Sequence, residues 1–227
     1  MKNNRFLALY QELYRKYGDP SDQWQLWCKR PKTKVEKEEV IIGAILTQRT
    51  NWKNVSLSVK RLKKEKLLSL DTLYKLSQKK SGKLQQMIRS SGFYKTKSRY
   101  LAAIADFFKK NGGIKNVSKF SREALRATLL DLPGVGPETA DSILLYALDK
   151  PIFVIDEYTR RLWQKKFRDK NLSYDYLQKK FENNLQENSK NCVYGNQGSE
   201  AEKTIALYQD FHALIVIDGK NQKTGKN

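Results

Sequence analysis

The chain has 227 residues, enough for one or two small domains with a buried core, and its 44 Lys and Arg against 24 Asp and Glu leave a formal net charge of +20. Cations spread along the whole chain suit a polyanionic partner, nucleic acid first and an anionic membrane surface second, although a Lys-rich thermophilic surface has the same composition. No run of eighteen apolar residues occurs, which argues against a spanning helix; Cys28 and Cys192 lie far apart without a CxxC pattern, which excludes a zinc ribbon and disfavours a disulfide in the reducing cytosol expected for this chain.

The first predicted element is a helix over residues 4–17 with Phe6, Leu9, Tyr10, Leu13 and Tyr17 on one face, a docking helix and not a signal peptide. Gly18-Asp19-Pro20 ends it, and a loop or short turn over residues 21–28 brings Trp24 and Trp27 together, either as a packed plug or as walls of a pocket. Residues 29–39 are charged and contain Pro31, as a linker would. From Val40 the run VIIGAIL is too densely apolar for a surface helix and predicts a central one, which closes on Leu46-Thr47-Gln48-Arg49-Thr50-Asn51-Trp52. A short helix is expected over residues 71–86, with a Lys-rich surface loop over 78–83. Gly92 supplies a turn ahead of a helix over residues 98–110, and Lys95, Lys97 and Arg99 are placed to reach phosphates, a solvated basic face being the plainer reading of each. Ser121 then caps a helix over residues 121–130.

Leu132-Pro133-Gly134-Val135-Gly136 puts two glycines where the chain reverses in few residues, and Pro137 suits the first turn of a new helix. Such a helix-hairpin-helix leaves the amides of Gly134, Gly136 and the next helix N-terminus without intrahelical acceptors, and a phosphate oxygen is a good partner for them. The apolar run Ile152-Phe153-Val154-Ile155 follows, closed by Asp156, which opens a helix through Phe167. A further helix over residues 174–185 sets Tyr174, Leu177, Phe181 and Leu185 in helical spacing, and the polar, glycine-containing stretch 188–199 is the best candidate for a mobile loop. The last helix, residues 200–217, carries His212, and a lone histidine on an apolar helix is read as structural. Alternating strands are absent, so the fold class expected is all-α.

The stretch from Leu130 to Trp163 resembles the helix-hairpin-helix DNA glycosylase superfamily typified by endonuclease III, in which an LPGVG hairpin, an alanine-rich helix and a V-D step into a helix succeed one another; weaker likeness runs from about Val40 to His212. The resemblance implies that Asp156 is the catalytic carboxylate and that Gln48, in a segment similar to the family's LxxQ-T, enters the DNA stack at the place of the displaced base. Gly92 to Ser98 is similar to the family's G-[FLY]-Y-x-x-K-A turn. Trp52 falls where the endonuclease III-type 3-methyladenine glycosylases place an aromatic ring against the extruded base, with Trp24 and Trp27 as further pocket residues. A methylated purine is cationic, so an indole face would gain a cation–π contribution of about 2 kcal/mol when desolvated. On residue chemistry alone Gln48 also suits a side chain bonding nearby backbone, Asp156 an ordinary helix cap, and Trp52 a packed helix end.

Two departures narrow the reading. Strand-cleaving members carry a lysine where this chain has Glu138, and a carboxylate cannot form the imine that strand cleavage needs, so the expectation is a monofunctional glycosylase. Glu138 is then either a surface helix residue or an acceptor for a cationic base. No cysteine follows Cys192, so the family's four-cysteine iron–sulfur loop is not expected, nor any other metal or cofactor, beyond a monovalent ion that the resemblance implies on the hairpin carbonyls.

Together these imply a monomeric, cytosolic, nucleoid-associated glycosylase acting on damaged double-stranded DNA without a membrane, an alkylated purine being the leading substrate. Thymine, uracil or adenine excision from mispairs, and structure-specific DNA binding without catalysis, are the alternatives. The architecture expected is two helical lobes, residues 40–149 with the hairpin and residues 1–39 with 150–227 carrying Asp156, the duplex crossing the cleft between them.

Overall fold

The computed structural model describes residues 5–79, 82–186 and 198–224; the glycine-containing stretch expected to be mobile lies almost wholly outside the described residues, as does Cys192. Thirteen α-helices and no strand occur among the described residues, an all-α fold, and none of these helices is long and apolar enough to cross a membrane. The chain divides into two compact units, residues 1–29 with 149–227, and residues 30–148.

The first unit opens with α1 (Arg5–Tyr17), whose Phe6, Leu9, Tyr10 and Leu13 are buried, and α2 (Gln23–Trp27). The second unit begins with α3 (Lys34–Leu46), so the charged stretch expected as a linker is in part helix. The reason is a capping box: Thr33 Oγ1 accepts from the Glu36 amide at 3.3 Å while the Glu36 carboxylate accepts from the Thr33 amide at 2.7 Å. Val40, Ile41, Ile42, Ile45 and Leu46 of α3 are fully buried, as their density along the chain demands. The remaining helices of this unit are α4 (Trp52–Lys64), α5 (Leu70–Ser77), α6 (Lys83–Met87), α7 (Tyr94–Lys110), α8 (Ile114–Val117), α9 (Arg122–Leu130) and α10 (Pro137–Tyr146), of which α4, α7 and α10 pack against α3. The single helix expected over 71–86 is therefore two, α5 and α6, with Gly82 in a left-handed conformation (φ +64°) starting the second. Asn51, Ser69 and Ser121 cap α4, α5 and α9 by accepting from the amides three residues on.

The chain returns to the first unit with α11 (Glu157–Phe167), α12 (Tyr174–Gln186) and α13 (Glu200–Thr224). Its core is aromatic. Phe153 stacks on Phe181 at 4.4 Å between ring centroids, Trp163 stacks on Phe167 at 4.4 Å, Phe6 stacks on Phe167 at 5.0 Å, and Tyr208 and Phe211 meet this cluster edge-on or tilted. Gly219 has a packing reason: a Cβ there would lie 2.3 Å from the Tyr158 ring, so glycine lets α13 close on the first turn of α11.

Candidate functional site

In the second unit, α9 and α10 form the expected hairpin, and a two-toothed ion pair holds them together: Arg126 Nε and Nη2 donate to the two carboxylate oxygens of Asp141 at 2.7 and 3.2 Å, with Asp141 fully buried. The two glycines differ. Gly134 is left-handed (φ +77°), and a Cβ on it would lie 2.3 Å from the Tyr100 ring, so this position is closed to any side chain. Gly136 has an extended conformation, and a methyl group placed on it would meet nothing within 4 Å; it is the N-cap of α10 and supplies no capping side chain, and Pro137 opens the helix. Both the space and the amide dipoles at that helix end are open to an anion. Glu138 is exposed on the first turn beside it.

Gln48 is gathered to the hairpin by its own amide, Nε2 donating to Gly134 O at 2.8 Å and to Thr139 Oγ1 at 3.1 Å. Without DNA the side chain thus bonds hairpin backbone, as residue chemistry allowed. A monovalent ion on the hairpin carbonyls would have to share Gly134 O with this amide. Trp52, half-buried, is the first residue of α4, capped by Asn51.

One expected phosphate contact is corrected. Lys97 is only 2 % exposed, and its ammonium donates to Leu46 O at 2.7 Å and Ser91 O at 2.6 Å. It sits on the inward face of α7, where the last carbonyl of α3 needs a donor, and desolvation lowers its pKa to about 8. Lys95 and Arg99, on another face of α7, remain exposed. The sequence reading gave no role to Phe93, yet it is the most exposed large apolar residue among those described, 62 %, held left-handed (φ +46°) at the N-terminus of α7. A bulky aromatic directly after a glycine and before a basic run was the available signal.

In the first unit the run Ile152–Ile155 is buried and lies in neither helix nor strand, and no strand pairs with it among the described residues. Its peptide groups are served by one polar stripe of α12: Phe153 N–H donates to Glu182 Oε1 at 2.9 Å, Gln178 Nε2 donates to Phe153 O at 2.7 Å, and Ile155 N–H reaches Tyr174 Oη at 3.4 Å. These residues lie four apart along the helix; Tyr174 belonged to the expected apolar spacing of that helix, whereas Gln178 and Glu182 were not singled out by it.

That end is Asp156, the N-cap of α11 and nearly buried. Its Oδ1 accepts from the Thr159 amide at 2.8 Å and the Thr159 hydroxyl at 2.9 Å, leaving Oδ2 outside the cap and 3.7 Å from His212 Nε2. Burial pushes the carboxyl up, but the His212 ring and the two Thr159 donors outweigh it and hold the group below the usual carboxylate range. Asp156 is therefore an anion at neutral pH. Trp24 and Trp27 are each 4 % exposed and meet edge to face at 5.5 Å, and Trp24 also meets the His212 ring at 5.7 Å. The structure thus gathers Asp156, His212, Trp24 and Trp27 in one unit, and Gln48, Gly134, Gly136, Glu138 and Trp52 in the other.

Residues 42–187 match the family model of the HhH-GPD superfamily base excision DNA repair proteins. MJ1434 of Methanocaldococcus jannaschii, which carries the name of a DNA repair glycosylase, is 36 % identical over 95 % of this chain and 89 % of its own. The crystal structure of the H. pylori 3-methyladenine DNA glycosylase MagIII bound to 1,N6-ethenoadenine superposes with a TM-score of 0.75 at 31 % identity, covering 96 % of each chain. Endonuclease III in a non-covalent complex with DNA shares the fold at 19 % identity, with a TM-score of 0.59 over 93 % of this chain and 85 % of its own. With the helix-hairpin-helix and the buried, ionised aspartate at a helix N-terminus in place, the family match over most of its length establishes that the chain belongs to the HhH-GPD superfamily of base excision DNA repair proteins.

Proposed function

We propose that this protein is a monofunctional DNA glycosylase that extrudes a damaged base from duplex DNA, an alkylated purine first among candidates, and hydrolyses its N-glycosidic bond to leave an abasic site. The observation that carries the reading is Asp156: a carboxylate kept ionised although nearly buried, with one oxygen committed to the helix cap and the other outside it. As the bond to the base breaks, its electron pair leaves with the base and positive charge builds on the deoxyribose. An anion in a low-dielectric site stabilises that charge, and Oδ2 can take a proton from the water that attacks the sugar. A cationic methylated purine departs as a neutral base, which lightens the task.

The hairpin supplies the phosphate grip through the open face of Gly136 and the helix end behind it. Phe93, exposed and fixed in a strained turn, is suited to fill the gap left by the extruded base, while Lys95 and Arg99 bind the flanking backbone. Trp52 is the aromatic surface offered to the base in this reading, and the likeness to the H. pylori 3-methyladenine enzyme supports an alkylated purine as substrate. Glu138 in place of a lysine supports hydrolysis without strand cleavage. The reading needs no iron–sulfur cluster.

The test is a panel of duplexes, each carrying one modified base (3-methyladenine, 1,N6-ethenoadenine, 8-oxoguanine, and uracil or thymine opposite guanine), scored for strand breaks before and after hot alkali. Breaks only after alkali, abolished by Asp156→Asn with duplex binding retained, support the reading. Breaks without alkali, or a borohydride-trapped adduct, would overturn the monofunctional assignment, and activity confined to mispairs would overturn the alkylpurine one.

A further inference from the structure

His212 is a buried polar side chain whose ring helps to hold Asp156 ionised, and the mechanism above gives it no part beyond that. It lies on α13, 4 % exposed, with its ring edge-on to Trp24 at 5.7 Å and to Phe153 at 6.4 Å, two rings that leave it little rotational freedom. Its Nε2 faces the oxygen of Asp156 that the helix cap does not use, at 3.7 Å. The cap binds one end of the carboxylate and the imidazole confronts the other. We infer that His212 is a positioning residue for Asp156, fixing the plane of the carboxylate so that Oδ2 stays aimed at the reacting sugar. The inference rests on the glycosylase reading of Asp156 and adds to it the group that keeps the carboxylate competent as acidity rises.

The direction follows from the charges around the carboxylate. Burial alone would raise Asp156 towards protonation, and His212 heads the contributions that reverse this, followed by the Thr159 amide and hydroxyl. The other titratable neighbours are Tyr158 on α11, raised by its own burial and then by Asp156, and Lys220 on α13, lowered by desolvation with Asp156 and Asp22 opposing. All of these side chains are kept when His212 is replaced. Without the imidazole the carboxylate takes up a proton at a higher pH, and the acid side of the activity profile moves up with it.

His212 is the only histidine in the chain, so its ring resonances can be read without assignment by mutation. In free protein, with no DNA, Asp156→Asn is expected to move the imidazole 15N and Cε1–H signals at one fixed pH; signals that do not respond overturn the inference while leaving the glycosylase reading untouched. In single-turnover kinetics on the best duplex of the panel, His212→Ala is expected to lower the rate at pH 5 by roughly tenfold more than at pH 8, with duplex affinity unchanged, and His212→Gln, which keeps a donor, to recover part of it. A uniform loss at both pH values together with a lower Tm means packing alone and overturns it. Should His212→Ala not fold, the pH-dependent rates of His212→Gln and the Asp156→Asn spectra decide the same two points. If the unmodified enzyme releases no base from any duplex, the glycosylase reading fails, and the catalytic half of the inference with it.

Discussion

Gly134 and Gly136 are two positions apart and serve different ends. Placing alanine at 134 forces a left-handed Cβ into the Tyr100 ring, and we expect Gly134→Ala to cost at least about 2 kcal/mol in chemical denaturation. Gly136→Ala meets nothing and should cost less than about 1 kcal/mol, as alanine at a helix cap usually does. Its effect should appear instead as weaker duplex binding by fluorescence anisotropy; unchanged affinity would mean that no phosphate approaches that face. Lys97 makes a residue-scale prediction of opposite character. Its folded-state pKa of about 8 lies below the ordinary 10.5, so between those values the unfolded chain holds a proton that the native protein has released. By linkage, this group's contribution to stability rises with pH across that window and is flat below it. Lys97→Met, which strips the donor from Leu46 O and Ser91 O, should be less stable at every pH, with the gap to the unmodified protein widening from pH 8 to pH 10 in urea titrations. A gap that stays constant would show that the amine is not desolvated.

At the scale of elements, the buried run before Asp156 behaves as a strand whose partner is a helix. A non-helical segment that buries its apolar side chains must also pair its amides, and with no neighbouring strand among the described residues the α12 stripe of Gln178 and Glu182 takes that place. Glu182→Ala leaves the Phe153 amide without its acceptor, an expected loss of about 1–3 kcal/mol, and it should slow base release while duplex affinity stays the same. Equal losses in binding and turnover would place Glu182 in general folding and not in aiming Asp156. The α9–α10 pair is braced by charge instead. Arg126→Ala takes both guanidinium donors from the fully buried Asp141 carboxylate, and we expect about 3–5 kcal/mol of destabilisation by thermal denaturation, with weaker duplex binding alongside if the hairpin grips phosphate as proposed.

For the molecule as a whole, a net charge of +20 predicts binding to undamaged duplex that is strongly salt-dependent. Each phosphate neutralised contributes a slope of about −0.9 in log K against log salt, so affinity should fall roughly tenfold or more between about 50 and 200 mM salt. On the proposed reading, base release at Asp156, buried inside the first unit, should depend on salt far less once the complex is saturated. Helical periodicity, the capping Ser121, the glycine hairpin with Pro137, and the apolar run ending in Asp156 were all legible in the sequence, because each is a local device whose signal lies within a few residues. The capping box at Thr33 was equally local and went unread beneath the charge of its neighbours. What only the tertiary structure decided was where polar side chains on distant segments end up. Lys97 turned inward to cap α3 from 51 residues away, Gln48 crossed 86 residues to brace Gly134, and His212 came to face Asp156. A buried donor or acceptor must find a partner, and along the chain nothing marks which one, since hydrogen-bond complementarity depends on distances that only packing sets.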